Sequence, residues 1–433
     1  MKSPFPPRGS SGGRDIINQF GPQPKKKSKY MKVSAIICEL NPFHFGHKYF
    51  IDNIKKNVAT HVIGIMSGNF TQRSEPSIIS KKVRTQIALN EGIDLIIEIP
   101  TIWSMSTAEK YAFAGVYIAN ALGCVNNLCF AGEIGDVAPL QLIADTINSE
   151  AFNIHIQKYL YTGITFAKAR ELAVKEILGE NYSSILVPPN NILAVEYLKS
   201  LSKLNSKISP YTIKRRGAGH DSSETCKNFA SASYIRHLMQ NKNEDFYKYI
   251  PKSSYEIISE EIKSLRAPAD INLAERAILS NLRTMPKSDI SSLCDVSEGI
   301  EGRIFKSSKN SSSLEQLIKN IKTKRYTMAR IKRLIMYSFL GITKYYADLP
   351  ITYIRVLGFN SKGLEILKKA KKTSSLPIVT KFSQINSLDN ISKIVFAKEC
   401  SCTDLYNMML PSPGLCGQEQ KYKIVVKNTV NTP

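Results

Sequence analysis

The sequence predicts an α/β protein built on a doubly wound parallel sheet, and three observations carry the prediction. Short, unbroken apolar runs recur between residues 33 and 130, the pattern of strands buried on both faces. Helix-periodic stretches with start and stop signals separate them, which is the alternation of a parallel sheet. The first run ends in a break, from Asn41-Pro42 to Gly46, at the carboxyl end of a strand, where such sheets bind ligands.

Each element has a local cause. Residues 33–38 form the first run, and Pro42 and Gly46 interrupt the pattern before a helix that starts near His47. Residues 61–66 are the second strand. Ser80 can cap a helix over 81–91 that Gly92 ends. Residues 94–99 are a third strand, stopped by Pro100. Ser106-Thr107-Ala108-Glu109 reads as a capping box for a helix to Leu122, closed by Gly123. Residues 125–130 are the fourth strand. Helices are expected over 167–178, 191–204 and 233–240, with a strand at 211–214. The α/β domain therefore spans 31–242. Residues 243–343 hold few β-branched runs and read as helical. Short strands return at 353–357 and 377–380 in a small α/β C-terminal region, 344–410, and 411–433 read as a loose tail. Residues 1–30 carry Pro, Gly, Ser and seven basic residues against one acid, Asp15, and read as a disordered basic extension.

Composition bounds the function. The 433 residues fit two or three domains at ~150 residues each. With 43% hydrophobic and 22% charged residues, most of the chain should fold. The 59 basic against 36 acidic residues give +23, which points to a polyanionic partner, nucleic acid before a membrane surface. No run of ~18 apolar residues is present, so a spanning helix is excluded. The N-terminus lacks the apolar stretch of a secretory signal, and a cytoplasmic location is expected. Among the eight cysteines there is no Cys-x-x-Cys, and Cys400 and Cys402 lack a second pair at zinc-finger spacing, so reduced thiols are expected.

The sharpest segment is Ile37-Cys38-Glu39-Leu40-Asn41-Pro42-Phe43-His44-Phe45-Gly46-His47-Lys48-Tyr49-Phe50. Its two histidines, three apart, share one face of a turn. Gly46 between them lets a ligand come close to the backbone. A helix start offers free N–H groups and a positive dipole end, which suit a phosphate. Imidazoles placed there can donate to phosphoryl oxygens as charge builds in a transition state. By spacing alone, two packing histidines also fit, as do two metal ligands lacking an evident third.

Strand–Asn-Pro-x-His-x-Gly-His–helix resembles the HxGH signature of the HUP-like nucleotidyltransferase superfamily, whose members transfer an adenylyl group with loss of pyrophosphate. Further blocks are similar to the bacterial tRNA(Met) cytidine acetate ligase family. They are Asn41-Pro42-Phe43-His44, Met66-Ser67-Gly68-Asn69-Phe70, Gln72-Arg73, Glu75-Pro76 and Ser80-Lys81. Pro189-Asn190-Asn191-Ile192-Leu193, Lys214-Arg215, Gly217-Ala218-Gly219 and Ser231-Ala232-Ser233-Tyr234-Ile235-Arg236 continue the likeness. Lys322-Thr323-Lys324-Arg325-Tyr326 and Leu357-Gly358-Phe359 extend it, so that it covers about 31–409 in order.

The resemblance implies a two-step reaction. Acetate attacks the α-phosphate of ATP, giving acetyl-adenylate and pyrophosphate. The N4 amine of the wobble cytidine of elongator tRNA(Met) then takes the acetyl group and releases AMP. Mg²⁺ is expected with ATP, and no membrane partner is implied. The ATP segment is then the run from Ile37 to Phe50, with His44 and His47 steadying the α-phosphate, Gly46 admitting the nucleotide and Asn41 orienting the turn. Asn190 and Arg215 match ATP-contacting positions, although an Asn there can also cap a helix and an Arg can end a strand in solvent. Ser233 and Arg236 match the Ser/Thr-x-x-Arg signature that binds the pyrophosphate side, beside the simpler reading of a helix start. The family's Phe-Gly-x-Glu reads Phe130-Ala131-Gly132-Glu133 here, so Ala131 stands in the nucleotide-touching Gly slot. Alanine costs about 1 kcal/mol or more if that slot needs positive φ, and little if only a backbone contact is used.

The remaining basic candidates lie elsewhere. Arg73, Lys81 and Lys82 could reach phosphate or RNA, or simply face solvent. Residues 322–333 hold Lys322, Lys324, Arg325, Arg330, Lys332 and Arg333 with no acid. On one helix, Arg325, Arg330 and Arg333 would share a face for an RNA backbone, with Tyr326 stacking on a base. A solvated charged face is the plain alternative. Two other functions remain open: an adenylyltransferase acting on a small molecule, and a non-catalytic RNA-binding protein.

Overall fold

Strand β1 (Val33–Cys38) lies between β2 (His61–Ser67) and β4 (Asn127–Gly132) and is parallel to both. The computed structural model describes residues 30–215 and 229–427, and the described residues from Lys32 onward cluster as one unit. The full sheet runs β5-β4-β1-β2-β3-β6-β7, with β3 at Leu95–Ile99, β5 at Ser209–Lys214, β6 at Ile354–Asn360 and β7 at Ile378–Val379. Strands β1 to β5 are parallel, as the sequence predicts. The chain builds outward from β1 through β2 to β3, then returns to the other side of β1 for β4 and β5. The switch point between β1 and β4 is where a doubly wound sheet opens a crevice.

Both faces of the sheet are covered. On one, Ile36, Val62, Met66 and Ile96 join Ile51 and Ile54 of α1 (Phe45–Asn57) and Val83 and Ile87 of α2 (Lys81–Asn90) in one apolar cluster. On the other, Gly115 of α3 (Ala108–Ala121) lies so near Ile37 that a Cβ there would sit 2.6 Å from Ile37 Cδ1. Only glycine permits that approach. Ser80 caps α2, as expected. Thr107 rather than Ser106 caps α3, accepting from the Lys110 N–H, while the Ser106 hydroxyl donates to the Trp103 carbonyl.

The C-terminal segments depart from their sequence reading. Residues 344–410 do not build a sheet of their own: β6 runs antiparallel against β3 and closes an edge that would otherwise stay unpaired. The stretch after 411, polar enough to read as a tail, is docked. Strand β8 (Val425–Lys427) pairs with Gly358–Asn360 of β6, and Glu419 is 1% exposed. Glu419 belongs to a buried charge cluster. Lys81 Nζ lies 2.5 Å from Glu98, 3.0 Å from Glu399 and 2.8 Å from Glu419. Arg355 pairs with Glu98 at 2.9 Å and with Glu419. Lys81 therefore meets neither phosphate nor solvent, and its ammonium is raised further above its usual range because the carboxylates outweigh its burial. Burial pushes the Glu98 carboxyl up to about 7 against the pull of Lys81 and Arg355, whereas the same two cations hold Glu419 at about 2 despite its burial. Residues 1–29, and with them most of the expected basic extension, lie outside the described residues, as does Gly217-Ala218-Gly219.

Candidate nucleotide-binding and active site

A cavity of about 420 Å³ opens at the carboxyl ends of β1, β4 and β5. That is the switch point, and the volume suits a mononucleotide-sized ligand. Ile37, Cys38, Glu39, Leu40, Asn41, His44, Gly46, His47, Tyr49 and Phe50 line it from the β1–α1 segment. Ala131, Asn190, Arg215, Ser233 and Arg236 complete the predicted set from four other places in the chain. Pro42, Phe43, Phe45 and Lys48 do not line it. Phe43 is buried in the apolar cluster, and Lys48 pairs with Asp52 at 2.6 Å one turn along α1.

The histidines are held by the backbone they cap. His44 is the N-cap of α1, and its Nδ1 accepts the Gly46 N–H at 3.0 Å. His47 Nδ1 accepts the His44 N–H at 3.3 Å. The two rings lie 3.8 Å apart, tilted by 32°. Burial, with the neighbouring His47 and the Arg215 and Arg236 guanidiniums, holds His44 far below the usual imidazole range. Burial and Arg215 bring His47 to about 3. Both rings are therefore neutral near pH 7. With each Nδ1 accepting a backbone N–H, the single ring proton sits on Nε2 and leaves an Nε2–H donor.

Two of the cations around the cavity, Arg215 and Arg236, are held by acids and carbonyls. With α4 at Pro189–Lys203 and α5 at Ala232–Gln240, Arg236 of α5 donates to the Asn41 carbonyl at 2.9 Å and to the Ser233 hydroxyl at 3.3 Å. Ser231, not Ser233, caps that helix, which leaves Ser233 to meet Arg236. Asn190 lies in the first turn of α4 (Pro189–Lys203), which has no side-chain cap. Its amide instead donates to Glu133 Oε1 at 3.1 Å, and Arg215 Nε lies 3.7 Å from the same oxygen. Glu133 thus draws together two residues that are 25 positions apart in the chain. Ala131 lies inside β4, paired with Ile213, and is not among the residues with positive φ. Alanine therefore occupies the glycine slot without backbone strain. The neighbour Gly132 is the constrained one, because a Cβ there would meet the Ile134 carbonyl oxygen at 2.9 Å.

Sequence reasoning missed several lining residues. Tyr111 and Tyr197 carry no motif, while Gln72, Phe130 and Lys214 stand in family blocks without a site role of their own, and Arg73 has only a general one. Gln72 is brought in by its N–H, which donates to Glu39 Oε1 at 2.7 Å. Burial raises the Glu39 carboxyl, opposed by that N–H and by Arg236, Arg84 and Arg73. Arg84, buried under the β1 end, donates to the Glu39 carbonyl at 2.6 Å and to the Gly68 carbonyl. It ties the turn after β1 to the turn after β2.

The predicted RNA-binding set divides. Helix α6 (Met328–Leu340) starts after a cap at Thr327, so Arg325 precedes the helix and shares no helical face with Arg330 and Arg333. Arg333 is buried and pairs with Asp295. Arg330 pairs with Glu298 at 2.7 Å and donates to the Asp295 carbonyl. Tyr326 is 6% exposed, and its hydroxyl donates to the Glu298 carbonyl. These three brace a loop in which Asp295 and Glu298 adopt positive φ, so stacking by Tyr326 and phosphate contact by Arg333 are set aside. Lys322, Lys324 and Arg325 are exposed, and Lys332 is half-exposed.

A doubly wound sheet with a His-x-Gly-His helix start at its switch-point cavity defines a nucleotidyltransferase-class protein. The family model described as HIGH Nucleotidyl Transferase matches residues 31–421. The chain is 41% identical to the tRNA(Met) cytidine acetate ligase of Thermoanaerobacter sp. (strain X514), over 89% of this chain and 98% of that protein. It is 37% identical to the protein of the same name from Alkaliphilus metalliredigens, over 90% and 97%. The crystal structure of apo Thermotoga maritima TmcAL superposes with a TM-score of 0.87 at 31% identity, covering 92% of this chain and all of that one. The form bound with alpha-thio ATP gives 0.86. The chain belongs to the tRNA(Met) cytidine acetate ligase family of HIGH nucleotidyl transferases.

Proposed function

We propose that this protein uses ATP to activate acetate and transfers the acetyl group to the N4 amine of the wobble cytidine of elongator tRNA(Met). The observation that carries the reading is the pair of neutral, backbone-locked histidines at the α1 start, in a nucleotide-sized cavity on a chain whose full-length relatives bear that name. In the first step an acetate oxygen bonds to the α-phosphorus, the bond to the β-phosphate oxygen breaks, and pyrophosphate leaves. The Nε2–H groups of His44 and His47 donate to the α-phosphate as charge builds there. Asn190 and Arg215, gathered by Glu133, hold the nucleotide from the β5 side, and Ser233 with Arg236 takes the pyrophosphate side. In the second step the N4 amine bonds to the acetyl carbon, AMP departs, and the amine loses a proton.

Mg²⁺ would arrive on the triphosphate. Among the described residues no group of three metal-ligating side chains stands ready to hold an ion of its own. No described helix is long and apolar enough to cross a membrane, and the reaction belongs in the cytoplasm, where ATP, acetate and tRNA meet. The RNA would be held by Lys322, Lys324, Arg325 and Lys332. The test is incubation of the protein with ATP, isotope-labelled acetate and unmodified tRNA, followed by mass spectrometry of the nucleosides. Labelled N4-acetylcytidine that requires both ATP and acetate supports the reading. Pyrophosphate release without a labelled nucleoside would reassign the acceptor, and silence in both channels would remove the enzyme.

A further inference from the structure

The loop between β2 and α2 touches both halves of the proposed reaction. Its backbone is fixed: Phe70 and Pro76 form an isolated bridge, and the Thr71 N–H and hydroxyl both donate to the Glu75 carbonyl, at 3.0 and 3.1 Å. The Ser104 hydroxyl holds the Phe70 carbonyl at 3.0 Å. From this frame Gln72 and Arg73 face the nucleotide cavity. Glu75 leaves the same loop half-buried and meets two cations. Its Oε1 accepts from Lys332 Nζ of α6 at 2.9 Å. Its Oε2 lies 3.9 Å from the Arg236 guanidinium, which also holds the Asn41 carbonyl of the His-x-Gly-His turn. One carboxylate is thus shared between the pyrophosphate side of the cavity and the basic face of α6.

We infer that Glu75 is a positioning residue that makes ATP and tRNA compete through its single charge, so that RNA engages Lys332 fully only after pyrophosphate has left. The inference rests on the functional reading above. A triphosphate that draws Arg236 toward itself leaves Glu75 wholly to Lys332, and Lys332 then has less to offer an RNA phosphate. An RNA phosphate that takes Lys332 leaves Glu75 to Arg236, which weakens the hold on ATP by the same factor. When pyrophosphate departs, Arg236 returns to Glu75 and Lys332 is released. The order of the two chemical steps is thereby favoured by one acid that cannot fully serve two bases.

The test measures binding of an unmodified tRNA(Met) transcript to the full chain with and without α,β-methylene-ATP, at one fixed salt concentration. The same pair is then titrated in the opposite order. For half-exposed partners of this kind, each ligand should weaken the other about 2- to 5-fold. Pyrophosphate alone should reproduce the effect on RNA. Glu75→Gln should tighten RNA binding in the absence of nucleotide by a similar factor and abolish the coupling in both directions. Lys332→Met should weaken RNA binding and abolish the coupling too, and, because Glu75 is then left to Arg236, it should weaken the ATP analogue without RNA about 2- to 5-fold. Coupling absent from the parent chain, or equal in the parent and both variants, overturns the inference. Acetylation of the same tRNA is followed in parallel. Product without coupling removes the role of Glu75 and keeps the function, whereas Glu75-dependent coupling without product keeps the competition and removes the acetylation reading.

Discussion

On the proposed reading His44 has two tasks, and they can be separated. Its Nδ1 caps α1, while its Nε2–H is left for the cavity. His44→Ala removes both and should lower adenylate formation by about 10²- to 10³-fold, read as acetate-dependent pyrophosphate release, with about 1 kcal/mol of stability lost from the cap. His44→Asn keeps a good cap and replaces the ring Nε2–H by a shorter amide donor, so it should melt like the parent and stay nearly as inactive as the alanine variant. An Asn variant with near-parental activity would show that the capping geometry is what the reaction needs. The pH dependence follows from the same rings. Folding lowers both imidazoles, so the unfolded chain binds protons first as pH falls. Their contribution to stability is complete above about 6.5 and declines as pH falls, for His47 down to about 3. Their NMR signals should hold still between about pH 5 and 8, and pyrophosphate release should show no limb near 6.5 from these groups.

The elements sort the basic residues by task. Replacing Lys324 or Arg325, both exposed ahead of α6, should lower the salt slope of tRNA binding by about one unit each and leave the melting temperature unchanged. Arg333→Met should do the reverse, because Arg333 braces the 295–298 loop. At this scale the sequence was legible wherever the cause is local. The apolar runs, the Ser80 cap and the Asn41–His47 break each declare themselves within a few residues, and the predicted ATP segment meets the cavity over most of its length. What was not legible depends on distant partners. Arg333 reads as an RNA contact until Asp295 is beside it, and Tyr326 reads as a stacking platform until the Glu298 carbonyl takes its hydroxyl. Asn190 and Arg215 are legible only through family likeness, since Glu133, which joins them, lies 57 residues before Asn190.

The whole molecule closes on the charge cluster at Lys81. Three carboxyls surround two cations there, and one of them, Glu98, is already pushed up to about 7. Lys81→Met would leave three acids with one guanidinium and should cost about 3–5 kcal/mol, measured by urea unfolding. Glu419→Gln should cost much less, because Glu98 can then ionise and restore the balance. A Glu419 variant as unstable as the Lys81 variant would mean that the cluster depends on that one pairing and not on its net charge. The same arrangement bears on how the protein is made. Lys81 and Glu399 are separated by 318 residues. At ribosomal rates of about 5–20 residues per second, Lys81 emerges roughly 15–60 s before Glu399 exists. Through that interval the nascent chain holds an unmatched ammonium and an open β3 edge. The parallel strands are thus made well before Glu399, which must arrive to match Lys81, while β6 arrives late to close the β3 edge.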